Sequence, residues 1–333
     1  MYLGIKVGPD NWREKLLCGT RVRHVEIYHN FDLPEDYAPL FAWLRENDVA
    51  GRLHASTPLP GGVIATLGTS DAAIRGASVE MLKRTIDVAA EAGLDGTVIH
   101  SGAYLISRVH NGRVEVVGPD TPVAEGKRWL RQTLEELAEY GRARGVEPLI
   151  ENMPGREFAG YGPRDRSAGV DVRFVAFQTL RELGEAGFSL CVDLAHLYTE
   201  LMVGERANGL HGSVREAAAQ LAPYARHVHL STVTPPWNGT DGHSGFLEGD
   251  YALGAIPDRA RLLSLLEPFA GREVWLIPEP LGGPEVHLAN HRRLAGWLED
   301  LAPLSSLPAA GACRCKASDR SGLAGGEQET GLC

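Results

Sequence analysis

The sequence predicts an α/β protein of the (β/α)8 TIM-barrel type, a single domain over residues 1–303 followed by a disordered tail over 304–333. Three observations point there. Eight short apolar runs alternate with longer amphipathic segments along the 333 residues, the pattern of strands that are each followed by a covering helix. The runs are nearly continuous in their apolar character, as strands buried on both faces must be. The fingerprints of a doubly wound sheet are missing: no G-x-G-x-x-G follows the first strand, and no G-x-x-x-x-G-K occurs.

The strand candidates are, in order, YLGIKVG (2–8), HVEIYHN (24–30), GRLHAST (51–57), GTVIHSG (96–102), EPLIENM (147–153), FSLCVDLAH (188–196), ARHVHLSTV (225–233) and EVWLIPEP (273–280). Helical patterns fill 78–93, 126–145, 174–187 and 259–271, each ending at glycine, the residue that best tolerates a left-handed helix C-terminus. Residues 284–302 supply a last helix. Two connections after strand ends are long. Residues 103–120 carry His110-Asn111-Gly112 between apolar alternations and read as a β-hairpin. Residues 154–172 form a polar Gly/Arg-rich loop. In a barrel both rise from the C-terminal face, where sites are built, and are candidate substrate walls.

Composition bounds the partners. No apolar run reaches the roughly 20 residues of a membrane span. The N-terminus enters an apolar strand directly, without the features of a signal peptide, which gives a cytoplasmic expectation. A net charge of −10 argues against binding nucleic acid through the whole surface, though not through a local groove. Of five cysteines, Cys191 sits in an apolar strand and reads as a buried inert thiol. Cys313, Cys315 and Cys333 fall in the Gly/Ser/Ala-rich tail, where metal binding by Cys313 and Cys315 is the lesser reading.

The strand ends carry the chemistry. Strand three ends at His54, strand four at His100 and strand five at Glu151; strand six carries Asp193 and His196. Strand seven carries His229, its loop Asp241 and His243, and strand eight ends at Glu279. A lone strand-end histidine is usually a satisfied core group. Three acids at the ends of apolar strands are harder to explain that way, because a buried carboxylate must be paired or coordinated. Read jointly, the nine residues form a metal site at one mouth of one barrel. His227 shares the parity of His229 and is expected in a lower, hydrogen-bonded layer. His24, His211, His287 and His291 read as surface residues, while His29 and His110 are weaker candidates for facing substrate.

Nine ligands exceed what one ion takes, so two or three ions sharing carboxylates are expected, zinc first, with Mn2+, Mg2+ or Co2+ as alternatives. Such a cluster activates water near neutral pH and clamps the oxygens of a phosphate ester.

The sequence resembles the endonuclease IV family of apurinic/apyrimidinic endonucleases, within the xylose isomerase-like barrel superfamily. The resemblance covers most of 1–303 and rests on LHAS at His54, IHSG at His100, LIENMPG at Glu151, VDLAH at Asp193 and His196, HLS…DGH…LEGD from His229 to Asp250, and IPEP at Glu279. It implies a three-zinc cluster on the nine positions, Glu151 bridging two ions, and abasic DNA as substrate. Two positions depart from the pattern. Gly242 stands where the family has an arginine that grips DNA, and Thr57 where a tyrosine presses into it. The ligands are kept better than the DNA-binding parts.

The leading functional expectation is therefore a metal-dependent phosphoesterase acting on abasic DNA or a small phosphate ester. Glu151 and Glu279 are its catalytic candidates, and Arg156, Arg164 and Arg166 its candidate phosphate grip. The alternative is a sugar isomerase or epimerase with one divalent ion on Glu151, Asp193, His229 and Glu279, the glutamates moving protons. Tyr104, Tyr161 and Trp237 are candidate substrate-lining residues under either reading. A non-enzymatic metal-binding barrel is the third.

Overall fold

Gly4 divides the first strand into β1 (Tyr2–Leu3) and β2 (Ile5–Val7). Its role is steric: a Cβ there would lie 2.5 Å from the carbonyl oxygen of His24. β1 pairs in parallel with β13 (Trp275–Pro278), and β2 with β3 (His24–His29). With β4 (Ala50–Ala55), β5 (Gly96–His100), β8 (Glu147–Glu151), β11 (Ser189–Asp193) and β12 (Ala225–Leu230) they form one parallel sheet. Its order, β1-β13-β12-β11-β8-β5-β4-β3-β2, begins and ends on halves of the same strand, so the sheet is a closed eight-stranded barrel. The computed structural model describes residues 1–17, 22–31, 36–55, 58–59, 61–159, 168–204 and 210–299. The proposed tail with its three cysteines, and Thr57, Tyr161, Arg164 and Arg166, lie outside the described residues.

The pleat sorts each strand into two sets. Ile5, Val7, Val25, Ile27, Leu53, Ile99, Ile150, Val192, Val228 and Leu276 belong to the main core, shared with the helices. The alternate positions point into the barrel. Val98, Leu149 and Cys191 form a separate buried cluster there. Two residues further along the same strands come His100, Glu151 and Asp193. One period-2 step thus converts an apolar layer into a ring of ligand-type side chains. At the other end of the interior, Arg52 stacks 4.0 Å over the Trp275 ring, with its Nε 3.0 Å from Asp95 Oδ1 and Nη1 donating to Arg226 O.

Helices α1 (Trp12–Leu17), α2 (Ala38–Glu46), α3 (Ala72–Ala92), α4 (Val123–Arg142) and α5 (Phe177–Glu185) cover the first half. They are followed by α6 (Leu194–Gly204), α7 (Leu210–Leu221), α8 (Glu248–Ala252), α9 (Arg259–Leu266) and α10 (Pro284–Glu299). Asp71 caps α3 by accepting from the backbone of Ala73 and Ile74, and Gly93 ends it with φ +74°. α5 starts three residues later than its apolar pattern. The N-cap residue Ala176 offers no side-chain acceptor, and the Phe177 N–H instead donates to Glu200 of α6 at 3.0 Å. Burial pushes the Glu200 carboxyl up to about 7. The sixth strand is shorter than its sequence pattern: it ends at Asp193 and α6 begins at once, so His196 sits on a helix.

The long connection after β5 is the expected hairpin, β6 (Ser107–His110) with β7 (Arg113–Val116). Asn111 and Gly112 take φ of +49° and +73°, the left-handed pair that a two-residue hairpin turn needs. After β8, β9 (Glu157–Phe158) pairs with β10 (Gly169–Val170). These loops interlock. Val109 N–H donates to Gly62 O, Ile64 N–H to Ser107 O, and Val114 N–H to Ala159 O. They form a connected wall on the C-terminal side of the barrel.

Candidate metal centre and its cleft

The inward ends of the strands open into a cleft of about 440 Å3, a size suited to a small ligand. His100 and Glu151 of the inner ring line its floor with Lys6, His54, His196, Asp241, His243 and Glu279, while Asp193 and His229 are fully buried. Ile64, Ala103, Met153, Phe158, Phe174 and Leu281 give it apolar walls, and Arg156 also lines it.

All nine expected ligands converge there, in three groups whose ligand atoms lie within 4.8 Å of one another. His54, His100 and Glu151 form the first; Glu151, Asp193, His229 and Glu279 the second; His196, Asp241 and His243 the third. Glu151 belongs to the first two. Its Oε2 lies 3.3 Å from His54 Nε2 and 3.5 Å from His100 Nε2, and its Oε1 is 2.9 Å from His229 Nδ1. His229 Nδ1 also faces Glu279 Oε2 at 3.3 Å. In the third group Asp241 Oδ2 is 3.1 Å from His196 Nε2 and contacts His243 Nε2.

Local structure sets these orientations. Asn152, the residue after Glu151, donates through Nδ2 to Asp193 O and accepts the Asp193 N–H, tying β8 to β11. Its carbonyl lies 2.7 Å from His196 Nδ1, which leaves Nε2 of that ring for the third group. The Asp193 carboxylate accepts the His196 N–H at 2.8 Å, locking the first turn of α6.

Burial raises the energy of a charge, and here the neighbours decide the outcome. Burial would raise Glu151, but the facing imidazoles, His229 foremost, hold its carboxyl well below the usual range. Burial also pulls on the imidazoles, yet surrounding carboxylates keep His196 and His229 well above their ordinary value and His243 near 9. Asp193 goes up to about 6 through burial and repulsion from Asp241 and Glu151, and burial drives His100 down to about 3.

The donor set fits divalent cations. Five carboxylates, those of Glu26, Glu151, Asp193, Asp241 and Glu279, gather at the buried end of the cleft with one lysine among the described residues, Lys6. Glu26 Oε1, Glu151 Oε2, Asp193 Oδ2 and Asp241 Oδ1 are buried without a hydrogen-bond partner. Such concentrated charge is costly without cations to offset it.

Among the substrate-lining candidates, Arg156 is on the cleft wall. Tyr104 is not: it is 3% exposed in the core, its ring packed against Gly68 and Gly126. A place just after a strand end did not keep it on the rim, because two glycines give its ring room underneath. Trp237 is 46% exposed and lies outside the cleft lining. His29 is buried against Phe31 and Tyr37, and His110 is exposed on the hairpin; neither lines the cleft. His227 is fully buried, its Nε2 2.6 Å from Glu26 Oε2.

The four histidines expected at the surface need correction. His287 lines the cleft, and burial lowers it to about 4. His291 is buried in α10. His24 stacks on Tyr2 and meets the Trp275 ring edge-on, and His211 Nδ1 is 2.6 Å from the Tyr198 hydroxyl. Each lies where an adjoining element covers it, which helical or strand periodicity alone does not reveal.

Sequence reasoning missed Lys6 and Glu26. Lys6 Nζ forms an ion pair with Glu26 Oε1 at 2.8 Å and also contacts Glu279. Both stand as the single charged residue in an apolar strand, at the inward parity, the same signal that singled out Glu151. Lys6 meets Glu26 as its register partner on the adjacent strand, and Glu26 meets His227 and His229 from β12, which is not its neighbour. Pairing between strands, not spacing along the chain, gives them their roles.

No curated protein matches the chain. Among solved structures, one described as D-tagatose 3-epimerase-like aligns over 90% of this chain and 98% of its own, with 16% identity and a TM-score of 0.63. Endonuclease IV from Thermus thermophilus aligns over 90% and 100%, with 19% identity and a TM-score of 0.57. The TTHB071 protein from the same organism, soaked with ZnCl2, aligns over 89% and 98%, with 24% identity and a TM-score of 0.54. At these identities the likeness shows the fold alone. No helix among the described residues is long and apolar enough to cross a membrane. Residues 23–256 match the family described as the xylose isomerase-like TIM barrel, and the chain belongs to that family.

Proposed function

We propose that this protein is a metal-dependent phosphoesterase whose site resembles that of endonuclease IV, with a small phosphate ester as its substrate in preference to the backbone of duplex DNA at an abasic site. The observation that carries the reading is the grouping of all nine ligand residues into three sets, the first two joined through Glu151. A mononuclear sugar isomerase or epimerase would use the second set alone and leave the buried or half-buried His54, His100, His196, Asp241 and His243 without a task.

Two or three divalent ions, zinc first, would supply Lewis-acid activation of water and of phosphoryl oxygens when bound. The chain's own contribution is positioning. Glu151 links the first and second groups, and Glu279 closes the second against Lys6. Arg156 stands on the wall with a guanidinium suited to a phosphate oxygen. Met153, Phe158, Phe174 and Leu281 exclude water from the floor.

The small-substrate preference rests on the interlocked wall of loops after β4, β5 and β8. Gly242, in place of an arginine, adds to it. Backbone geometry does not impose that glycine: a Cβ there would meet only ordinary contacts, at 3.7 Å. The same walled cleft favours a second reading, a sugar isomerase or epimerase working with one Mn2+, Mg2+ or Co2+ on the second group.

The deciding experiment compares wild-type protein and His243→Ala on phosphate mono- and diesters, an abasic-site duplex and a panel of ketoses. Phosphate-ester hydrolysis that His243→Ala abolishes supports the proposal. Ketose epimerisation that survives the substitution overturns it.

A further inference from the structure

Two imidazoles of the centre have a second nitrogen that something else must hold. For His196 the main chain does it, through the carbonyl of Asn152. For His229 the holder is a side chain. Its Nε2 lies 2.6 Å from Glu26 Oε2, while its Nδ1 faces Glu151 and Glu279. Glu26 reaches this point from β3, on the far side of the barrel, and is fully buried. Its other oxygen is taken by Lys6 Nζ at 2.8 Å.

We infer that Glu26 is a positioning residue: it holds the proton of His229 on Nε2 and so presents Nδ1 to the Glu151–Asp193–Glu279 group, with Lys6 offsetting its charge. This rests on the metal-centre reading above. A carboxylate that accepts from the outer nitrogen of a ligating histidine fixes its tautomer and ring plane and raises its basicity.

One alternative is geometrically near. Glu26, His54, His229 and Glu279 themselves offer ligand atoms within 4.8 Å of one another, which would make Glu26 a tenth ligand. That would require Glu26 Oε2 and His229 Nε2 to turn from each other toward an ion. At 2.6 Å they are already bonded, and Lys6, a cation, sits on the remaining oxygen. Glu26 Oε2 has His227 and His229 Nε2 at 2.6 Å, and Oε1 has Lys6 Nζ at 2.8 Å. The imidazole nitrogens facing Glu151 Oε2 stand at 3.3 and 3.5 Å, and those facing Asp193 Oδ2 at 3.9 Å. The more loosely faced oxygens of Glu151 and Asp193, not those of Glu26, are the ones left for cations. Lys6 also contacts Glu279, so a single ammonium links the positioning carboxylate to a ligand carboxylate of the same group.

The test is a zinc titration of chelator-stripped protein against a competing chelator, for wild type, Glu26→Leu and Glu26→Gln, with circular dichroism as a check of fold. Loss of the carboxylate in Glu26→Leu is expected to weaken one class of zinc site by about 10–100-fold. Glu26→Gln keeps a carbonyl that accepts from Nε2–H, so its loss is expected to be smaller. A folded Glu26→Leu protein with wild-type affinity at every site overturns the positioning role. Wild-type protein that takes up no zinc overturns the metal centre itself, a separate failure. Should Glu26→Leu not fold, a crystal structure of the zinc-loaded wild type decides: an ion on His229 Nδ1 with Glu26 on Nε2 supports the inference. An ion on Nε2, or on Glu26, contradicts it.

Discussion

The two ends of the barrel interior solve the problem of buried charge differently. Near the strand starts, Arg52 is the charged group. The protein satisfies it locally, with Asp95, a backbone carbonyl and the face of Trp275. Above it Val98, Leu149 and Cys191 are an apolar plug. One pleat further, five carboxylates gather with one lysine, and four of their oxygens have no hydrogen-bond partner. The first end is neutral by construction; the second is a set of ligand-type groups whose charge divalent cations would offset. Stability is built at one end and chemistry at the other.

Glu151→Gln breaks this contrast most severely. It removes the group shared by the first two ligand sets, and turnover should fall at least about 1,000-fold, or about 4 kcal/mol. Circular dichroism should stay that of the wild type. Turnover near the wild-type rate would show that sharing through Glu151 is not needed.

Leu149→Ala, two residues earlier on the same strand, should do the opposite. It opens a cavity in the apolar plug and should cost about 2–5 kcal/mol of stability, with metal content per chain unchanged. Loss of metal in a folded Leu149→Ala protein would mean that the two layers are not separable.

Most of the barrel was legible because strand burial and helix periodicity are local signals. The eight strands, the hairpin at Asn111-Gly112 and the final helix lie at or within a few residues of their sequence patterns. The convergence of His54, His100, Glu151, Asp193, His229 and Glu279 follows from the same source, since residues at strand ends on inward parity must meet in a closed barrel. His196 on α6 and Asp241 and His243 on the loop after β12 join them from outside the strands. What was not legible depends on contacts between distant segments. Glu26 meets His227 and His229 only when barrel closure brings β3 and β12 near each other. Tyr104 sinks into space left by Gly68 and Gly126, on other segments. His196 moved from strand to helix because the locked Asp193–His196 turn starts α6 before the apolar run ends.

Metal removal should sharpen the comparison through its pH dependence. In the metal-free protein the raised imidazoles of His196, His229 and His243 hold their protons, and the favourable ion pairs are present below the unfolded value near 6.5. That stability is lost as pH rises through the folded values, near 9 for His243. Bound ions replace those protons. The Tm difference between loaded and stripped protein should therefore widen from pH 6 to pH 9, and calorimetric titration with zinc at pH 7 should show net proton release. A difference that is flat with pH would contradict the assignment.

A smaller effect is expected away from the centre. Glu200 titrates near 7 in the fold against 4.5 unfolded, so the native state binds more protons between these values and stability falls as pH rises through them. Glu200→Gln should be more stable than wild type at pH 8, by an amount on the order of 1 kcal/mol, and equal to it near pH 4. Chemical denaturation at the two pH values measures this.

The most direct test of the central claim is elemental analysis of protein purified without chelator or nickel affinity. The three ligand groups predict two or three divalent ions per chain, chiefly zinc, falling in number when His54 or His243 is replaced by alanine. A single ion per chain, unchanged in either variant, would contradict a centre built on all nine residues and leave only the Glu151–Asp193–His229–Glu279 group.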